Sequence, residues 1–485
     1  MTSVLYPGTP DNSPTAPVGS GRPGVADIQI NGSAALAAAL ANARGGETFV
    51  LAAGDYGDLS LYAKNFASNI TIKSASSSSP AHFNSVSVLS SSNVTFQGLD
   101  IGHALSSSEA EYTPMARVSD ARNVVFDSVK IHGSLDNNPA NDGRGLQVTG
   151  SSGITVTNSE FTDLANGMIF DSSSGVTVRN NNIHVMRSDG MDFASTSQVM
   201  IDGNTFRDFH PAAGDHPDAM QFWNKNGSTN VRDVTIINNV VLAGTSSGSQ
   251  GVFMSDNGGY AYQNVLIQNN LIFTGGQWNG IMVAGAEGIK VIGNTVLSPS
   301  NDSLMAWIRM EDVTNGLVQN NVTDKIINEG AHTAALVNNL SLNGDSASQA
   351  LIPNLLNGAN TTISDLVIAG YGYHPLTTTP STSSTSYSSA GSLFSSLLGR
   401  IYTGTAAVTN DIDRLMPTFA MSNPSAADSQ DLGKLLSSAG LTSSPSTSTT
   451  QTLSATSTAG SIGAGDMMAH GSLTTLLSQH THAIA

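Results

Sequence analysis

The feature that most constrains the fold is a short phrase that recurs along the middle of the chain. It consists of a β-branched residue, two spacers, an Asn, one spacer and an apolar residue. The Asn positions follow one another at intervals of 23 to 35 residues, which is the sequence signature of a repeat architecture. Copies of this phrase occur at Val178–Ile183, Ile201–Phe206, Ile236–Val241, Ile267–Ile272 and Val291–Val296, with a shorter copy at Val318–Asn321.

A second phrase consists of a small residue followed by three mostly apolar residues. Its distance from the preceding repeated Asn is variable and shorter than the repeat itself. Each unit therefore contains two or three strands of about four residues, separated by Asn, Gly and Ser turns. Such short strands bury a face only when they stack, so the sequence predicts an all-β fold, a right-handed parallel β-helix rising about 4.8 Å per coil. This second phrase occurs at Gly145–Val148, Gly167–Phe170, Gly190–Phe193, Ala219–Phe222, Gly251–Met254 and Gly280–Val283.

The repeated Asn has a physical reason within such a solenoid. An Asn at the same turn of successive coils donates and accepts hydrogen bonds along the stack. Asn also tolerates the left-handed backbone that a tight bend requires. We therefore expect a ladder of Asn side chains, with the ladder residues themselves in the left-handed conformation.

The N-terminal part of the repeat region carries a family resemblance. Ala34–Arg44 has the pattern of a short Ala-rich helix, and the following Gly45–Tyr56 reads GGETFVLAAGDY. This combination resembles the capping helix and first coil of the pectate-lyase-like β-helix superfamily, which includes polygalacturonases, mannuronan C5-epimerases and phage tailspikes. The resemblance covers residues 25–345 and is specific for the fold, because one scaffold of this kind hosts many chemistries.

Composition divides the chain into five predicted regions. Residues 1–24 form an N-terminal extension, 25–345 the β-helix and 346–375 its end or cap. Residues 376–410 are rich in Ser and Thr and are predicted to be a linker. Residues 411–485 combine low complexity with short helical patterns, which we interpret as an oligomerisation or export region. His480 and His482 near the C-terminus are similar to a motif of trimeric phage fibres, which favours a homotrimer.

Charge and cysteine content exclude several classes of function. The formal net charge of −17 argues against nucleic acid as a partner, and the absence of Cys excludes disulfides and thiolate metal sites. No segment is apolar and long enough to span a membrane, and the N-terminus lacks the pattern of a signal peptide. We therefore expect an extracellular or virion-surface protein that is exported without an N-terminal signal peptide.

The densest polar cluster falls on two consecutive predicted coils. Asp189 directly precedes Gly190–Phe193, and Asp218 directly precedes Ala219–Phe222. Alignment on these phrases predicts that Asp189 and Asp218 stack about 5 Å apart on neighbouring coils. By the same alignment, Asp192 stacks on Gln221. The position that Asp189 and Asp218 share is occupied on the flanking coils by Arg144, Asn166, Gln250 and Asn279.

Acids this close favour two kinds of chemistry. Two neighbouring carboxylates cannot both ionise freely, so at least one pKa rises. A raised-pKa acid beside an ionised base is what glycoside hydrolysis requires. Alternatively, Asp189 and Asp218 bind Ca²⁺, which neutralises a uronate carboxylate while another group removes the C5 proton.

Two motif resemblances point to the same residues. Ser188–Asp192 reads SDGMD and looks like the NTDGxD motif of polygalacturonase-type hydrolases. Asp215–Asp218 reads DHPD and has the residues of the DPHD motif of mannuronan C5-epimerases and alginate lyases, with the middle two exchanged. The resemblances imply catalytic roles for Asp189, Asp192, Asp215 and Asp218, and a proton-transfer role for His216.

Around these acids we predict a substrate-binding surface. The loop Phe209–Pro217 is longer than the neighbouring turns, and such a bulge commonly forms the wall of a groove. Aromatic residues on this and later coils could stack on sugar rings. The predicted substrate-binding residues are Arg187, His210, Gln221, Trp223, Lys225, Trp278 and Tyr260.

The sequence thus favours a β-helix that binds and cleaves a bacterial surface or extracellular polysaccharide, as a hydrolase or a lyase. Two alternatives stay open. One is a non-catalytic, polysaccharide-binding phage spike or adhesin. The other is a uronan C5-epimerase, which would use Ca²⁺.

Overall fold

A computed structural model of the chain describes residues 27–212, 215–224, 230–244, 248–255, 262–299, 304–342 and 362–375, with two dipeptides at 442–443 and 453–454. The chain separates into two units, Met1–Leu376 and Thr377–Ala485. The β-helix lies in the first unit, and its strands run from Ile28 to Ser341. The predicted N-terminal extension, and all of the predicted linker and C-terminal region except the two dipeptides, fall outside the described residues.

One α-helix precedes the coils. Helix α1, Ser33–Asn42, is rich in Ala and buries Leu36 and Leu40. Both leucines belong to the main apolar core, so the helix covers the core where the solenoid begins. This confirms the predicted N-terminal helix. Two 3₁₀ helices, at Pro139–Asn141 and Ile363–Leu366, interrupt later loops.

Short strands stack in parallel into three ladders, each formed by one strand per coil. Ladder 1 contains β1 Ile28–Ile30, β2 Thr48–Leu51, β5 Asn65–Ser74, β8 Ser92–Gln97, β11 Arg122–Asp127, β14 Ser152–Thr157, β17 Ser174–Arg179, β20 Ser197–Asp202, β23 Arg232–Ile237, β26 Tyr262–Gln268, part of β28 Asn279–Ile292, β31 Leu317–Gln319 and β34 Ala335–Val337.

Ladder 2 contains the strands on which the predicted site residues lie: β4 Asp58–Tyr62, β7 Ser85–Leu89, β10 Pro114–Ser119, β13 Arg144–Thr149, β16 Met168–Asp171, β19 Met191–Ala194, β22 Asp218–Trp223, β25 Gln250–Ser255, the start of β28, β30 Trp307–Thr314 and β33 Lys325–Glu329. The long strands β28 and β30 turn the corner between ladders 1 and 2, so these two ladders form one 23-stranded sheet.

Ladder 3 is a separate 12-stranded sheet. It contains β3 Gly54–Asp55, β6 Ala81–Phe83, β9 Asp100–Gly102, β12 Lys130–His132, β15 Glu160–Leu164, β18 Asn182–Met186, β21 Thr205–Phe209, β24 Val240–Leu242, β27 Leu271–Phe273, β29 Thr295–Leu297, β32 Val322–Thr323 and β35 Leu340–Ser341. In the second unit, β36 Thr442–Ser443 and β37 Leu453–Ser454 form an antiparallel pair.

The core lies inside the coil, where like residues stack on like. On ladder 2, the ring of Phe193 lies 5.0 Å from Phe170 and 4.6 Å from Phe222, and the three rings are nearly parallel. Burying each such side chain stabilises the fold by about 1.5–3 kcal/mol. No helix among the residues that the structure describes is long and apolar enough to cross a membrane.

The predicted Asn ladder is present, and we call it the amide ladder: Asn181, Asn204, Asn239, Asn270, Asn294, Asn321 and Asn339. Each side-chain amide donates to the Oδ1 of the next Asn along the stack, for example from Asn239 to Asn270 at 2.9 Å. The same Oδ1 accepts the backbone N–H of the previous ladder residue, at 3.0 Å for this pair. Asn204 through Asn321 are fully buried, so the interior polar groups are satisfied where no water reaches them.

One expectation about this ladder is wrong. The residues in the left-handed conformation are not the ladder Asn themselves but their immediate predecessors, such as Asn180, Asn238 and Asn269, with φ of 53°, 59° and 54°. Where the predecessor is Gly203 or Gly293, φ is 68° and 60°. The bend falls one residue earlier because the ladder Asn must point its amide inward.

Candidate active site

The predicted stacking of acids on ladder 2 is confirmed. Strands β19 and β22 pair in the register Met191 with Met220 and Asp192 with Gln221, which places Asp189 next to Asp218. The backbone N–H of Asp218 donates to Oδ1 of Asp189 at 2.8 Å. Asp218 in turn pairs with Gln250 on the following coil.

Amide side chains from the neighbouring positions contact these carboxyl groups. Nδ2 of Asn166, one coil earlier, lies 3.5 Å from Oδ2 of Asp189 and 3.2 Å from Oδ2 of Asp192. Nε2 of Gln221 donates to Oδ2 of Asp218 at 2.7 Å. Asp189 also accepts a hydrogen bond from the hydroxyl of Ser188 at 3.2 Å. The Asn166 amide thus bridges two coils, whereas the Gln221 amide holds Asp218 within their own strand.

We call Asp189, Asp192 and Asp218 the acid cluster. Asp218 is fully buried and Asp192 is 3% exposed, whereas Asp189 is half-buried. Oδ1 of Asp192 and Oδ1 of Asp218 are buried without a hydrogen-bond partner. An orphaned buried carboxyl oxygen is costly to the fold, so the cluster is not explained by turn formation alone.

Burial raises all three pKa values, and repulsion adds to two of them. Burial raises the pKa of Asp192 and Asp218 well above the usual range, and repulsion from the Asp189 carboxylate adds to both. Burial also raises the pKa of Asp189, although hydrogen bonds from the Asp218 amide and the Ser188 hydroxyl oppose this. The interaction between Asp189 and Asp192 lowers the pKa of Asp189 and raises that of Asp192. The cluster therefore places two acids with strongly raised pKa values next to a half-buried carboxyl group.

The other predicted catalytic residues lie on the loop outside the cluster. Asp215 and His216 are exposed, and no hydrogen bond joins either side chain to the cluster within the described part of the loop. His216 is close enough to lower the pKa of Asp189 electrostatically. Nε of Arg187 lies 3.6 Å from Asp215, and its Nη1 lies 2.8 Å from Glu111, a contact that the sequence did not suggest.

Aromatic residues extend the same surface along ladder 2. Trp278 is 47% exposed, and its ring lies 4.8 Å from that of Trp307. Nε1 of Trp307 donates to Oδ1 of Asn279 at 2.7 Å, and Asn279 in turn donates to Gln250. Trp307 pairs in register with Asn279 and so continues the row that begins at Asp189. The sequence analysis missed Trp307, although extending the alignment by one coil would have found it.

The remaining predicted binding residues are distributed differently. Trp223 is half-buried at the end of β22, and Lys225 and Tyr260 fall outside the described residues. His210 lines a cavity of about 340 Å³ on ladder 3. This cavity is walled by polar and charged side chains from several coils: Asn137, Thr162, Asp163, His184, Arg207 and Asp208.

Two groups of convergent metal-ligating side chains were also missed. Within the described ranges, donor atoms lie within 4.8 Å of one another in the sets His82, Asp100, His132 and Asp136, Asp142, Asp163. Burial raises the pKa of Asp142 to about 6, with repulsion from Asp163 contributing. The predicted Ca²⁺ pair, Asp189 and Asp218, is not part of either set. Residues far apart in sequence form both sets, and only the coil register brings them together.

Comparisons with known proteins agree with this fold. Residues 64–241 match the sequence model of the right-handed β-helix region, and no curated protein matches the sequence. An alginate lyase from Paenibacillus sp. str. FPU-7 is similar in structure, with 15% identity and a TM-score of 0.37 over 64% of this chain and 97% of the lyase.

Two further structures are similar at the same level. The A-module of a mannuronan C-5 epimerase from Azotobacter vinelandii shows 16% identity and a TM-score of 0.43 over 66% of this chain and 91% of the module. The Dettilon tailspike protein shows 13% identity and a TM-score of 0.43 over 63% of this chain and 64% of the tailspike. The strand ladders and the matched sequence model together show that the chain folds as a right-handed parallel β-helix.

Proposed function

We propose that this protein binds a polysaccharide along ladder 2 and hydrolyses it by general acid catalysis at the acid cluster. The observation that carries the proposal is the packing of three carboxyl groups together in a largely buried position, which raises the pKa of each of them. A carboxylic acid that keeps its proton near neutral pH is what protonation of a glycosidic oxygen requires.

The residues divide by exposure into two roles. Asp189 is half-buried and reaches the surface, so it is the group that contacts the substrate as the acid. Asp192 and Asp218 are buried behind it and act as positioning residues, and the raised pKa of Asp192 keeps a proton available to Asp189. Asp215 and His216 lie exposed on the adjacent loop and are the candidates for activating the attacking water.

The substrate would lie along the coil stack. Asp189, Asp218, Gln250, Asn279 and Trp307 occupy successive coils, and strands about 4.8 Å apart separate the first from the last by about 19 Å. This span fits a short oligosaccharide rather than a single sugar. The exposed ring of Trp278, packed on Trp307, is placed to stack on a sugar ring at the far end.

Charge favours neutral sugars over uronates in this groove. The chain carries a net charge of −17, and Arg187, which precedes the cluster in the sequence, is already paired with Glu111 and Asp215. A uronate would meet three carboxyl groups at the cluster, with Arg144 as the cation whose charge acts on Asp192. Hydrolysis is therefore favoured over elimination or C5-epimerisation, and no step of the proposal runs through Ca²⁺.

One observation favours a second candidate, a non-catalytic polysaccharide-binding spike or adhesin. Asp192 and Asp218 are almost completely buried, and amides from Asn166 and Gln221 hold them in place. In that case Trp278 and the polar row bind the sugar, and no bond of the polysaccharide is cleaved. Both candidates place the protein outside the cell or on a virion surface. A homotrimer remains part of the spike proposal and is testable by light scattering.

The test is incubation with a panel of neutral and uronate-containing bacterial and algal polysaccharides, with and without Ca²⁺. New reducing ends without absorbance from unsaturated uronates support hydrolysis. Absorbance from unsaturated uronates means elimination, and retention on a polysaccharide without cleavage means binding only. Asp189→Asn should lose about 10²–10⁴-fold in rate. The matched control is Asp202→Asn, which removes a carboxylate of ladder 1 that pairs with Arg179 at 3.1 Å.

A further inference from the structure

A second cluster of titratable side chains lies on ladder 3, on strands other than those that carry the acid cluster. His82 on β6 pairs in register with Asp100 on β9, and His132 on β12 pairs with Gly102 two residues further along β9. Nδ1 of His82 lies 2.9 Å from Oδ2 of Asp100. Nε2 of His132 lies 3.2 Å from Oδ1 of Asp100. One carboxylate thus stands between two imidazoles that come from the coils on either side.

The hydrogen bonding of His132 fixes which nitrogen faces Asp100. Nδ1 of His132 contacts the backbone carbonyl of Gly133 at 2.7 Å and must donate, because a carbonyl oxygen only accepts. In the neutral ring, Nε2 then carries the lone pair. That atom is buried without a hydrogen-bond partner, on a side chain that is 8% exposed. A lone pair held next to a carboxylate is satisfied by a proton or by a metal ion between the two atoms.

This arrangement has the second-shell feature of a metal-binding His. A ligating imidazole usually donates its other N–H to a backbone carbonyl or carboxylate, which fixes the tautomer and the ring orientation. His132 does so through Gly133. Gly102 is also required beside it, because a side chain there would collide with the backbone of His132. The close approach of β9 and β12 therefore depends on a glycine and places the imidazole over Asp100.

Distances and exposure fit a small tetrahedral ion. In a four-coordinate Zn²⁺ site with bonds of about 2.0–2.2 Å, ligand atoms lie about 3.3–3.6 Å apart. The donor atoms of the three residues lie within 4.8 Å of one another. The contacts of 2.9 and 3.2 Å to the two oxygens of Asp100 are slightly shorter than the ligand spacing in such a site, so the side chains would move apart by a few tenths of an ångström to admit an ion. The side chains of His82 and Asp100 are 30% and 25% exposed, which leaves a direction open for a fourth ligand from solvent.

We propose that His82, Asp100 and His132 form a binding site for a divalent transition metal, with Zn²⁺ as the ion that the donor set suits best. Two imidazoles and one carboxylate match Zn²⁺, whereas Ca²⁺ and Mg²⁺ take oxygen ligands only. The ion would connect three successive coils near the N-terminal end of the solenoid. Because the site lies on ladder 3, the proposal is independent of catalysis on ladder 2.

The test is Zn²⁺ binding to chelator-treated full-length protein, followed by isothermal titration calorimetry and metal analysis after dialysis. His82→Gln and His132→Gln should each bind about one equivalent fewer than the wild type, and Zn²⁺ should raise their unfolding temperature less. The matched control is His184→Gln on the same ladder. His184 contacts a single carboxylate, that of Glu160, at 2.9 Å, and its other nitrogen contacts Thr162.

The number of Zn²⁺ ions bound by each variant, compared with the wild type, distinguishes this site from binding by other histidines, including His480 and His482. His82 is partly exposed, so its variant should keep the far-ultraviolet circular dichroism of the wild type even if His132→Gln does not. Co²⁺ in place of Zn²⁺ should give the visible absorption of a four-coordinate site in the wild type and the control. Equal Zn²⁺ stoichiometry in the wild type and His82→Gln would overturn the proposal.

Discussion

The amide ladder and the acid cluster are both stacks of polar side chains on successive coils, but they differ in how completely their members satisfy one another. In the amide ladder, every step contains a donor and an acceptor, as between Asn204 and Asn239 at 3.0 Å. In the acid cluster, each carboxylate offers acceptors only. Oδ1 of Asp192 and Oδ1 of Asp218 consequently remain without a partner in the buried interior.

The difference follows from the chemistry of the two side chains. An amide presents both an N–H donor and a carbonyl acceptor, so identical residues can repeat along a fibre-like axis without cost. Stacked carboxylates repel, and they must bind protons or a cation to coexist. The amide ladder therefore stabilises the fold, whereas the acid cluster costs stability, and in the proposed function its raised pKa values supply the proton for catalysis.

Breaking the amide ladder should have the largest effect on stability. Asn239→Ala leaves the backbone and side-chain N–H groups of Asn204 without their acceptor, and Oδ1 of Asn270 loses its amide donor. We expect the free energy of unfolding to fall by about 3–5 kcal/mol, measured by urea denaturation. Asn182→Ala, on partly exposed β18, is the control and should change little. An Asn239→Ala protein as stable as the control would show that the ladder contributes nothing.

Removing a buried acid should have the opposite effect on stability while lowering activity. In Asp192→Asn, an amide that can donate to Asp189 replaces a buried acid, so the free energy of unfolding should rise by about 1 kcal/mol relative to the wild type. Asn has no proton to pass on, so Asp189 must itself be protonated to act as the acid. The rate at neutral pH should therefore fall about 10²-fold and recover as the pH is lowered.

The pH profile of Asp192→Asn distinguishes positioning from a merely structural role. An alkaline limb of kcat/KM that moves to lower pH supports the proposed coupling to Asp189. An unchanged profile with reduced stability would contradict it.

The aromatic pair, Trp278 and Trp307, tests the length of the proposed groove. Removing one of its rings should change activity less than Asp192→Asn does. Trp278 is half exposed, so Trp278→Ala removes a stacking surface without opening the core. We expect KM for a long oligosaccharide to rise about tenfold with kcat unchanged, and stability to stay within about 0.5 kcal/mol. Tyr62→Ala, which removes a ring that is 70% exposed, is the control. Equal kinetics for the two variants would place the substrate elsewhere.

The pH dependence of stability should show the smallest effect. A carboxyl group whose pKa is raised in the folded state stabilises the fold at low pH and loses that contribution as the pH rises through the folded value. For Asp142 this window extends from the ordinary pKa of an aspartate, 3.8, to about 6. The unfolding temperature should therefore be higher at about pH 5 than at about pH 7, and Asp142→Asn should reduce the difference. An unchanged difference in that variant would contradict the raised pKa.

Much of the architecture could be predicted because the repeat fixes the register. Once Gly190–Phe193 and Ala219–Phe222 are aligned, the stacking of Asp189 on Asp218 and of Asp192 on Gln221 follows from counting residues. The same counting predicts the amide ladder. It does not predict which Asn of an Asn–Asn pair takes the left-handed conformation, because both residues tolerate it and the inward direction of the ladder decides.

The clusters that were missed lie where the repeat pattern is weak. His82, Asp100 and His132 are separated by 18 and 32 residues, and the early coils lack the repeated Asn that would align them. Trp307 starts a strand that reads WIRM and has no small residue in the place of Gly280, which follows Asn279 on the previous coil. The row therefore appeared to end at Asn279. The local sequence pattern also does not predict that Asp218 is completely buried. Nor does it predict the contact between Arg187 and Glu111.

The most direct test of the central claim is infrared difference spectroscopy of the carboxyl groups at neutral pH. A protonated carboxylic acid absorbs separately from a carboxylate, so the method detects the proton that the acid cluster is inferred to hold. The account predicts a protonated carboxyl band in the wild type that is weakened in Asp192→Asn and unchanged in Asp202→Asn. A wild-type spectrum with ionised carboxylates alone would contradict it, because the acid cluster would then have no proton to donate.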